Sequence, residues 1–420
     1  MKKRRHFNIH NNFVKHEMDK IKIFIIAGEP SGDVLGGKLM TAIKDESSGR
    51  AIEFIGVGGI KMQEQGLNSL FPICELSIMG FAEVIPHIPQ LLKRINQTAQ
   101  KIIDSGAQMV ITIDSPDFCF RVIKKLKQNP VSSKIKKVHL IAPSVWAYRP
   151  KRAQKIAKLY DLLLAILPFE PPYFEKHGLE TLFIGHPITE SCVAPSLTNL
   201  NSPLNRGKLT HTEYFREKNQ IKNDDLLICA MAGSRVGEVK RILPEIIGGI
   251  NILAQKYPNL VVVMPIIERT RQLIEEQLVL FNVRVILINE DQKYSAFKAS
   301  NLAIAKSGTN NLEIAIAGLP MITIYKINPL THFFVSRIVR IQFANLINLI
   351  LNRELIPELL QDNCCATKIA STAENLIGNP QLAQRQILES KNILKILGLD
   401  AQEKPSKKAA LKILSYFPSR

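Results

Sequence analysis

Apolar positions along the chain fall into short β-branched runs separated by longer stretches of helical period. Lys22–Ala27, Ile52–Val57, Met109–Ile113, Val138–Ala142, Leu162–Leu167 and Thr181–Ile184 read as strands, and several are apolar on both faces, as in a parallel sheet covered by helices. From Glu190 to Asp225 the chain turns to Ser, Thr, Asn and Pro with few aliphatics, which predicts a linker. The same grammar then resumes, with strands expected at Leu226–Ala232, Leu260–Met264, Val283–Leu287, Leu302–Ala305 and Met321–Ile324. The pattern therefore predicts an α/β protein of two doubly wound Rossmann-like domains with one cleft between them. The expected boundaries are a basic extension at 1–20, a first domain at 21–190, a linker and domain entry at 191–225, a second domain at 226–363, and amphipathic C-terminal helices with a basic tail at 364–420. Whether those last helices finish the second domain or cross back to the first is left open by their period.

Length agrees: 420 residues exceed what one core usually holds. With 46% hydrophobic and 22% charged residues, a sizeable core can form. The net charge of +18 is uneven, since residues 1–20 carry six Lys/Arg against two acids and residues 404–420 carry five with none. Such ends suit nucleic acid, an anionic membrane surface or an acidic substrate, or are simply solvated. A single Trp and 6% aromatics give no interleaved basic and aromatic motif, so nucleic acid is not expected as a partner. The cysteines at 74, 119, 192, 229, 364 and 365 form no C-x-x-C pair, which argues against zinc and for buried thiols in a reduced compartment, the cytosol by default. Asn, His and Lys interrupt what would be the apolar segment of a signal peptide, and runs such as Leu159–Phe169 are too short to span a bilayer. Membrane contact, if any, is peripheral.

The candidate chemistry sits where strands end. After the first strand, Gly28-Glu29-Pro30-Ser31-Gly32-Asp33 leads into a helix, a turn that can present backbone N–H groups and a favourable dipole to an anion. The alternative is a tight turn capped by Ser31 or Asp33. The third strand delivers Asp114-Ser115-Pro116-Asp117 to the carboxyl edge. Asp117 fits the N-cap of the following helix, which leaves Asp114 as the candidate general base, against a structural hydrogen bond to its turn. The pair lacks a third ligand for a divalent cation, and no metal is expected. In the second half, Gly233-Ser234-Arg235 between strand and helix offers a bidentate clamp for phosphate, against an ordinary surface ion pair. Lys306-Ser307-Gly308-Thr309-Asn310-Asn311-Leu312-Glu313 repeats the strand, turn and helix. Its Glu313 suits a ribose hydroxyl pair, against half of a capping box with Thr309 or Asn310. A carboxylate in one domain and basic glycine turns in the other match a two-domain nucleotide-sugar transferase.

Taken in order, Ala27–Asp33, Ser77-Ile78-Met79-Gly80, Asp114–Phe118, Ala142-Pro143-Ser144-Val145-Trp146-Ala147, Leu167-Pro168-Phe169-Glu170, Gly185-His186-Pro187, Gly233–Arg235 and Ser307–Glu313 resemble the lipid-A-disaccharide synthase family of Gram-negative bacteria, from about Ile21 to Gln361. The resemblance implies a GT-B fold and transfer of a diacylglucosaminyl group from UDP-2,3-diacylglucosamine to 2,3-diacylglucosamine 1-phosphate (lipid X), giving the lipid A disaccharide 1-phosphate and UDP. It implies no cofactor, a cytoplasmic enzyme resting on the anionic inner leaflet, and it leaves a homodimer open. By the same resemblance Asp114 is the base, Glu29, Ser31, Gly32 and Asp33 belong to the N-terminal glycine turn, and Arg235, Ser307, Gly308, Thr309, Glu313 and Asn348 belong to the nucleotide-sugar site. The family's S-L-P-N segment reads Asn345-Leu346-Ile347-Asn348 here, keeping only the last residue of the set besides Leu346. An in-line attack aided by one base would invert an α-linked donor to a β-linked product. The apolar run Met79–Leu92 reads as core by pattern, while the resemblance makes Val84, Ile85, Ile88, Leu91 and Leu92 a lipid-facing patch beside Lys93 and Arg94. Pro86 and Pro89 argue against a long regular helix there. Other GT-B transferases and epimerases of that fold share Arg235 and Glu313, and remain the rival reading.

Overall fold

A computed structural model of the chain describes residues 20–76, 85–191, 210–328 and 341–417. It divides into two compact units, one running to Pro187 and resuming at Gln402, the other spanning Ile188–Ala401. The first is built on β1 (Ile21–Ala27), β2 (Ile52–Val57), β3 (Asn68–Ser69), β4 (Met109–Ile113), β5 (Lys136–Leu140), β6 (Leu162–Ala165) and β7 (Glu180–Phe183). These pair in parallel in the order β3-β2-β1-β4-β5-β6-β7. Its strands β1, β4 and β6 are buried on both faces, which is why they are largely apolar rather than alternating. Ile23, Ile25 and Ala27 of β1 meet Leu39, Met40 and Ile43 of the helix Pro30–Asp45. Phe24 and Ile26 face the opposite layer, where helices Ile88–Asp104 and Pro116–Leu126 supply Ile95, Ile102, Val122 and Ile123.

The second unit repeats the plan with β8 (Leu226–Met231), β9 (Leu260–Pro265), β10 (Arg284–Ile288), β11 (Leu302–Lys306), β12 (Met321–Tyr325) and β13 (Glu358–Leu360), again all parallel, in the order β10-β9-β8-β11-β12-β13. Helices Val236–Ala254 and Ala366–Gly378 pack together over its core through Ile242, Ile246, Ile369 and Ala373. The C-terminal helices divide their allegiance. Those at Ala366–Gly378 and Pro380–Ile396 stay with the second unit, whereas Pro405–Leu414 belongs to the first, inserting Ala409, Ala410, Ile413 and Leu414 beside Leu39 and Met40. Burial at about 1.5–3 kcal/mol for each large aliphatic side chain makes that return favourable.

Within the stretch whose composition reads as linker, His211–Lys218 is a helix with a complete capping box between Thr210 and Glu213. Arg216 anchors it, its guanidinium donating to the Ala299 carbonyl at 3.1 and 2.9 Å and to the Lys222 carbonyl at 2.7 Å. The long helix Ile88–Asp104 also departs from expectation, because Pro89 lies in its first turn, where a missing N–H costs nothing.

In each unit the strand order reverses direction once, between β1 and β4 and between β8 and β11. Open α/β sheets bind ligands outside the carboxyl ends of the strands at such a switch point. All four strand-to-helix turns singled out in the sequence leave from these four strands.

Candidate active site

At the first switch point, β1 and β4 end side by side, with Ala27 opposite Ile113, so that Gly28 comes abreast of Asp114. The approach is close enough to require glycine: a Cβ at Gly28 would stand 2.4 Å from Ser115 Oγ. Asp114 and Ser115 both take left-handed backbone, φ 49° and 43°, and Ile141 at the end of neighbouring β5 has φ 77°. A β-branched residue there is strained, and that turn is why β5 stops at Leu140. The Asp114 N–H donates to the Leu140 carbonyl at 3.0 Å. Its carboxyl is raised above the usual carboxylate range, chiefly by burial and against a backbone hydrogen bond from Ser115. A half-buried carboxylate of raised basicity at a strained sheet edge is suited to accepting a proton from an alcohol.

The other acid of that turn does something else. Ser115, not Asp117, is the N-cap of Pro116–Leu126, and it makes no side-chain cap bond. Asp117 projects outward with its side chain 93% exposed, 3.3 Å from Arg152. Nor do Ser31 and Asp33 cap the glycine turn. The helix Pro30–Asp45 begins after Glu29 with no side-chain cap, leaving its first-turn N–H groups at the sheet edge with exposed Ser31, buried Gly32 and half-buried Glu29. Asp33 is buried and turned to the next layer, where its carboxylate accepts from Gly59, Lys61 and Met62 N–H at 2.8, 2.9 and 3.0 Å. It caps the short helix Ile60–Gln63 and is closed to a ligand.

Farther along the same edge, Glu170 is 2% exposed and ties two motif loops together. Its Oε1 accepts from Trp146 Nε1 at 3.2 Å, and its Oε2 accepts from Ile166 and Leu167 N–H at 3.1 and 3.0 Å. Burial outweighs these donors and pushes its carboxyl up to about 7. The Trp146 ring meets Phe169 edge-on at 5.3 Å. Beneath Asp114, His139 is fully buried with Nδ1 2.7 Å from Thr112 Oγ1, and burial drives it down to about 3, so it is too weak and too deep to serve as the base.

At the second switch point a cavity of about 280 Å³ opens between the two basic turns, lined among others by Gly233, Ser234, Lys306, Ser307, Gly308 and Thr309. Arg235 precedes the helix Val236–Ala254 as its N-cap residue, with its side chain 63% exposed and 3.5 Å from Glu238. Lys306, at the end of β11, also reaches Glu238, at 3.1 Å, and lies over the Tyr325 ring. The turn after β11 is held from within: Ser307 Oγ donates to the Ala344 carbonyl at 2.6 Å, and the Gly308 N–H donates to Asn311 Oδ1 at 2.9 Å. Thr309 is exposed and begins the helix Asn310–Ile316 without a side-chain cap, so the capping box with Glu313 does not form. Glu313 instead pairs with Lys293 at 2.8 Å, and Lys293 also contacts Glu290 at 3.2 Å. Burial pulls the Lys293 ammonium down, but the two carboxylates overcome it and the net direction is up. Glu290 lines the cavity, while Glu313 lies behind it through that lysine.

Asn348 is not open to a nucleotide. It is 0% exposed, and its amide makes all four bonds it can: Nδ2 donates to the Ile356 carbonyl and Glu358 Oε1 at 2.7 and 2.8 Å, and Oδ1 accepts from Leu355 and Ile356 N–H, each at 2.9 Å. Asn345 takes over the helix start, capping Leu346–Leu351 through a bond from Ile347 N–H at 2.8 Å. The segment braces the turn that carries Ser307.

Of the expected lipid-facing residues, Val84 and the side chain of Ile85 lie outside the described residues. Ile88 and Leu92, one turn apart, are 43% and 48% exposed. Leu91 is half-buried and starts the stripe that continues through buried Ile95, Thr98 and Ile102, so it faces the core. Arg94 is held by both oxygens of Glu75 at 2.8 Å and lies over Phe71, which leaves Lys93 as the exposed cation of the pair. Among the described residues no helix is long and apolar enough to cross a membrane, and no cluster of three His, Cys, Asp or Glu side chains is placed to hold a metal ion.

Sequence reasoning did not single out Glu238, Lys293, Glu290 or Asn311. Each lies at helical or turn positions where acid, base and amide side chains are ordinary, and only the packing of β8 against β11 brings them to one site.

The fold of two such sheets also has solved counterparts. A UDP-GlcNAc 2-epimerase from Neisseria meningitidis, solved with UDP-GlcNAc bound, superposes with a TM-score of 0.56 over 90% of this chain and 99% of its own, at 13% identity. That likeness shows the GT-B fold. A lipid-A-disaccharide synthase of Rhodospirillum centenum is 41% identical over 404 residues, 96% of each chain, and one of Rickettsia akari is 40% identical over 390 residues, 93% of this chain and 94% of its own. Residues 23–413 match the family described as lipid-A-disaccharide synthetase. The chain therefore belongs to the lipid-A-disaccharide synthase family, the glycosyltransferases of lipid A biosynthesis.

Proposed function

We propose that this enzyme condenses UDP-2,3-diacylglucosamine with 2,3-diacylglucosamine 1-phosphate by direct inversion, Asp114 acting as base and the cations at the second switch point holding UDP. The observation that carries the reading is the placement of a basic, strained carboxylate at one switch point and, at the other, of a cavity lined by Lys306 and Ser234, with Arg235 next along the chain and joined to Lys306 through Glu238. Displacement at an anomeric carbon needs a proton removed from the acceptor hydroxyl as it attacks. It also needs charge stabilised on the departing diphosphate. Asp114 supplies the first and the permanently charged guanidinium of Arg235 the second, so no covalent sugar on the protein is required. Ser234 and Thr309, both exposed at the cavity, are placed to donate to phosphate oxygens.

The apolar pair Ile88 and Leu92, with Lys93 beside them, supports peripheral attachment to an anionic leaflet, where both substrates keep their acyl chains. The test is product formation from the two diacylated substrates, followed by mass spectrometry. Asp114→Asn should lower kcat by about 10²–10⁴-fold while UDP affinity is unchanged, and Arg235→Ala should raise the donor KM. Wild-type turnover in Asp114→Asn would remove Asp114 from the chemistry, and equal use of unacylated donor would favour a different sugar transfer.

A further inference from the structure

An acid beside a diphosphate site is unfavourable unless it has a task. Glu238 is 8% exposed in the first turn of the helix Val236–Ala254, against Gly233 and Lys306, two residues that line the cavity. Its Oε1 takes both Lys306 Nζ at 3.1 Å and Arg235 Nη1 at 3.5 Å. Its Oε2 is buried with no hydrogen-bond partner among the described residues. The backbone is shaped around this carboxylate: Gly233 has φ 113°, and a Cβ there would stand 2.7 Å from Oε2. Tyr325 is raised by burial and then by the Glu238 charge, with Arg235 and Arg241 opposing. One carboxylate thus pairs with two cations, Arg235 and Lys306, and these are the groups that would receive phosphate oxygens.

We propose that Glu238 is a resident counter-anion for this site: it holds Arg235 and Lys306 while the site is empty and is displaced from them by the incoming diphosphate. The proposal rests on the reading of this cavity as the UDP site. Its consequence is a deliberate weakening of nucleotide affinity. A diphosphate must compete with a carboxylate already in place, and as UDP departs the carboxylate recovers both cations. Glu238 is then a positioning residue that favours product release, since it touches the cations and not the sugar.

The test is calorimetric titration of the full chain with UDP and with uridine, comparing wild type, Glu238→Gln, Lys306→Met and the double variant. Glu238→Gln should bind UDP about two- to fivefold more tightly, the scale of a partly exposed ion pair. Its uridine affinity should be unchanged, because uridine carries no diphosphate. In the Lys306→Met background the gain should shrink to less than half on a logarithmic scale. Equal or weaker UDP binding by a folded Glu238→Gln would overturn the proposal and make Glu238 a simple scaffold for the cations. If that variant does not fold, a crystal structure of the wild type with UDP decides: Lys306 Nζ should have moved from Glu238 to a phosphate oxygen, and a Lys306 still on Glu238 refutes displacement. No UDP binding by the wild type would instead refute the nucleotide reading, and this proposal with it.

Discussion

Replacing Glu170 with Gln tests whether a buried carboxyl bracing the Trp146 loop makes the first unit sensitive to pH. Burial carries this acid from the ordinary 4.5 to about 7. The folded state therefore holds the proton more tightly than the unfolded chain, and its ionisation at neutral pH costs about 3 kcal/mol of stability. The sign follows: stability is fully present below pH 4.5, falls by about 1.4 kcal/mol per pH unit as the unfolded chain ionises, and levels off above about 7. Gln cannot ionise. Its carbonyl can still accept from Ile166 and Leu167 N–H, but its NH₂ then faces the Trp146 Nε1–H, donor against donor, at a cost of about 1–3 kcal/mol. Glu170→Gln should accordingly be less stable than wild type at pH 5 and as stable or more so at pH 7.5. Urea unfolding followed by Trp emission measures this directly, because the chain has 1 Trp and Glu170 bonds to it. A stability difference between the two proteins that stays constant from pH 5 to 7.5 would show that Glu170 is already ionised when folded, and that its three N–H donors outweigh burial.

Asn348→Ala should destabilise the second unit by about 2–5 kcal/mol, since it strands two buried N–H groups and a carbonyl; a loss of donor affinity with an unchanged urea midpoint would instead return Asn348 to the nucleotide site. Asp33→Ala should cost about 1–3 kcal/mol by removing the cap of Ile60–Gln63, with kcat measured on the remaining folded protein unaltered, and a selective loss of activity would give Asp33 a role in substrate binding. Replacing Ile88 and Leu92 together with Ser should abolish sedimentation with anionic vesicles while leaving the melting temperature within a few degrees, because both side chains already face solvent; unfolding would place them in the core.

The central strands were legible because they are buried parallel strands, and burial on both faces leaves a short, β-branched apolar run bounded by turn residues. β2 and β4 run over Ile52–Val57 and Met109–Ile113, the residues expected from pattern alone. The short edge strands β3 and β13 were not legible, being two and three residues long and without a period. Turns could be placed but their inner bonding could not. Asp33 and Asp117 are both acids in the first turn of a helix that follows a parallel strand, yet one is buried as a cap for a distant helix and the other is exposed beside Arg152. Helix caps are local, but the layer a side chain enters depends on which element packs over it.

What the order of residues determined by itself was the alternation of apolar strands with amphipathic helices, the turns at strand ends, and the motif set that belongs to one family. Those follow from spacing along the chain, where solvent is the only partner to consider. Tertiary structure alone decided that Pro405–Leu414 returns to the first unit, that Asn348 is a brace, and that Glu238, Lys306 and Arg235 share one charge cluster. The reason is physical: burial and ion pairing act through space between residues tens of positions apart, and the hydrophobic covering of each sheet selects which polar groups meet at its switch point.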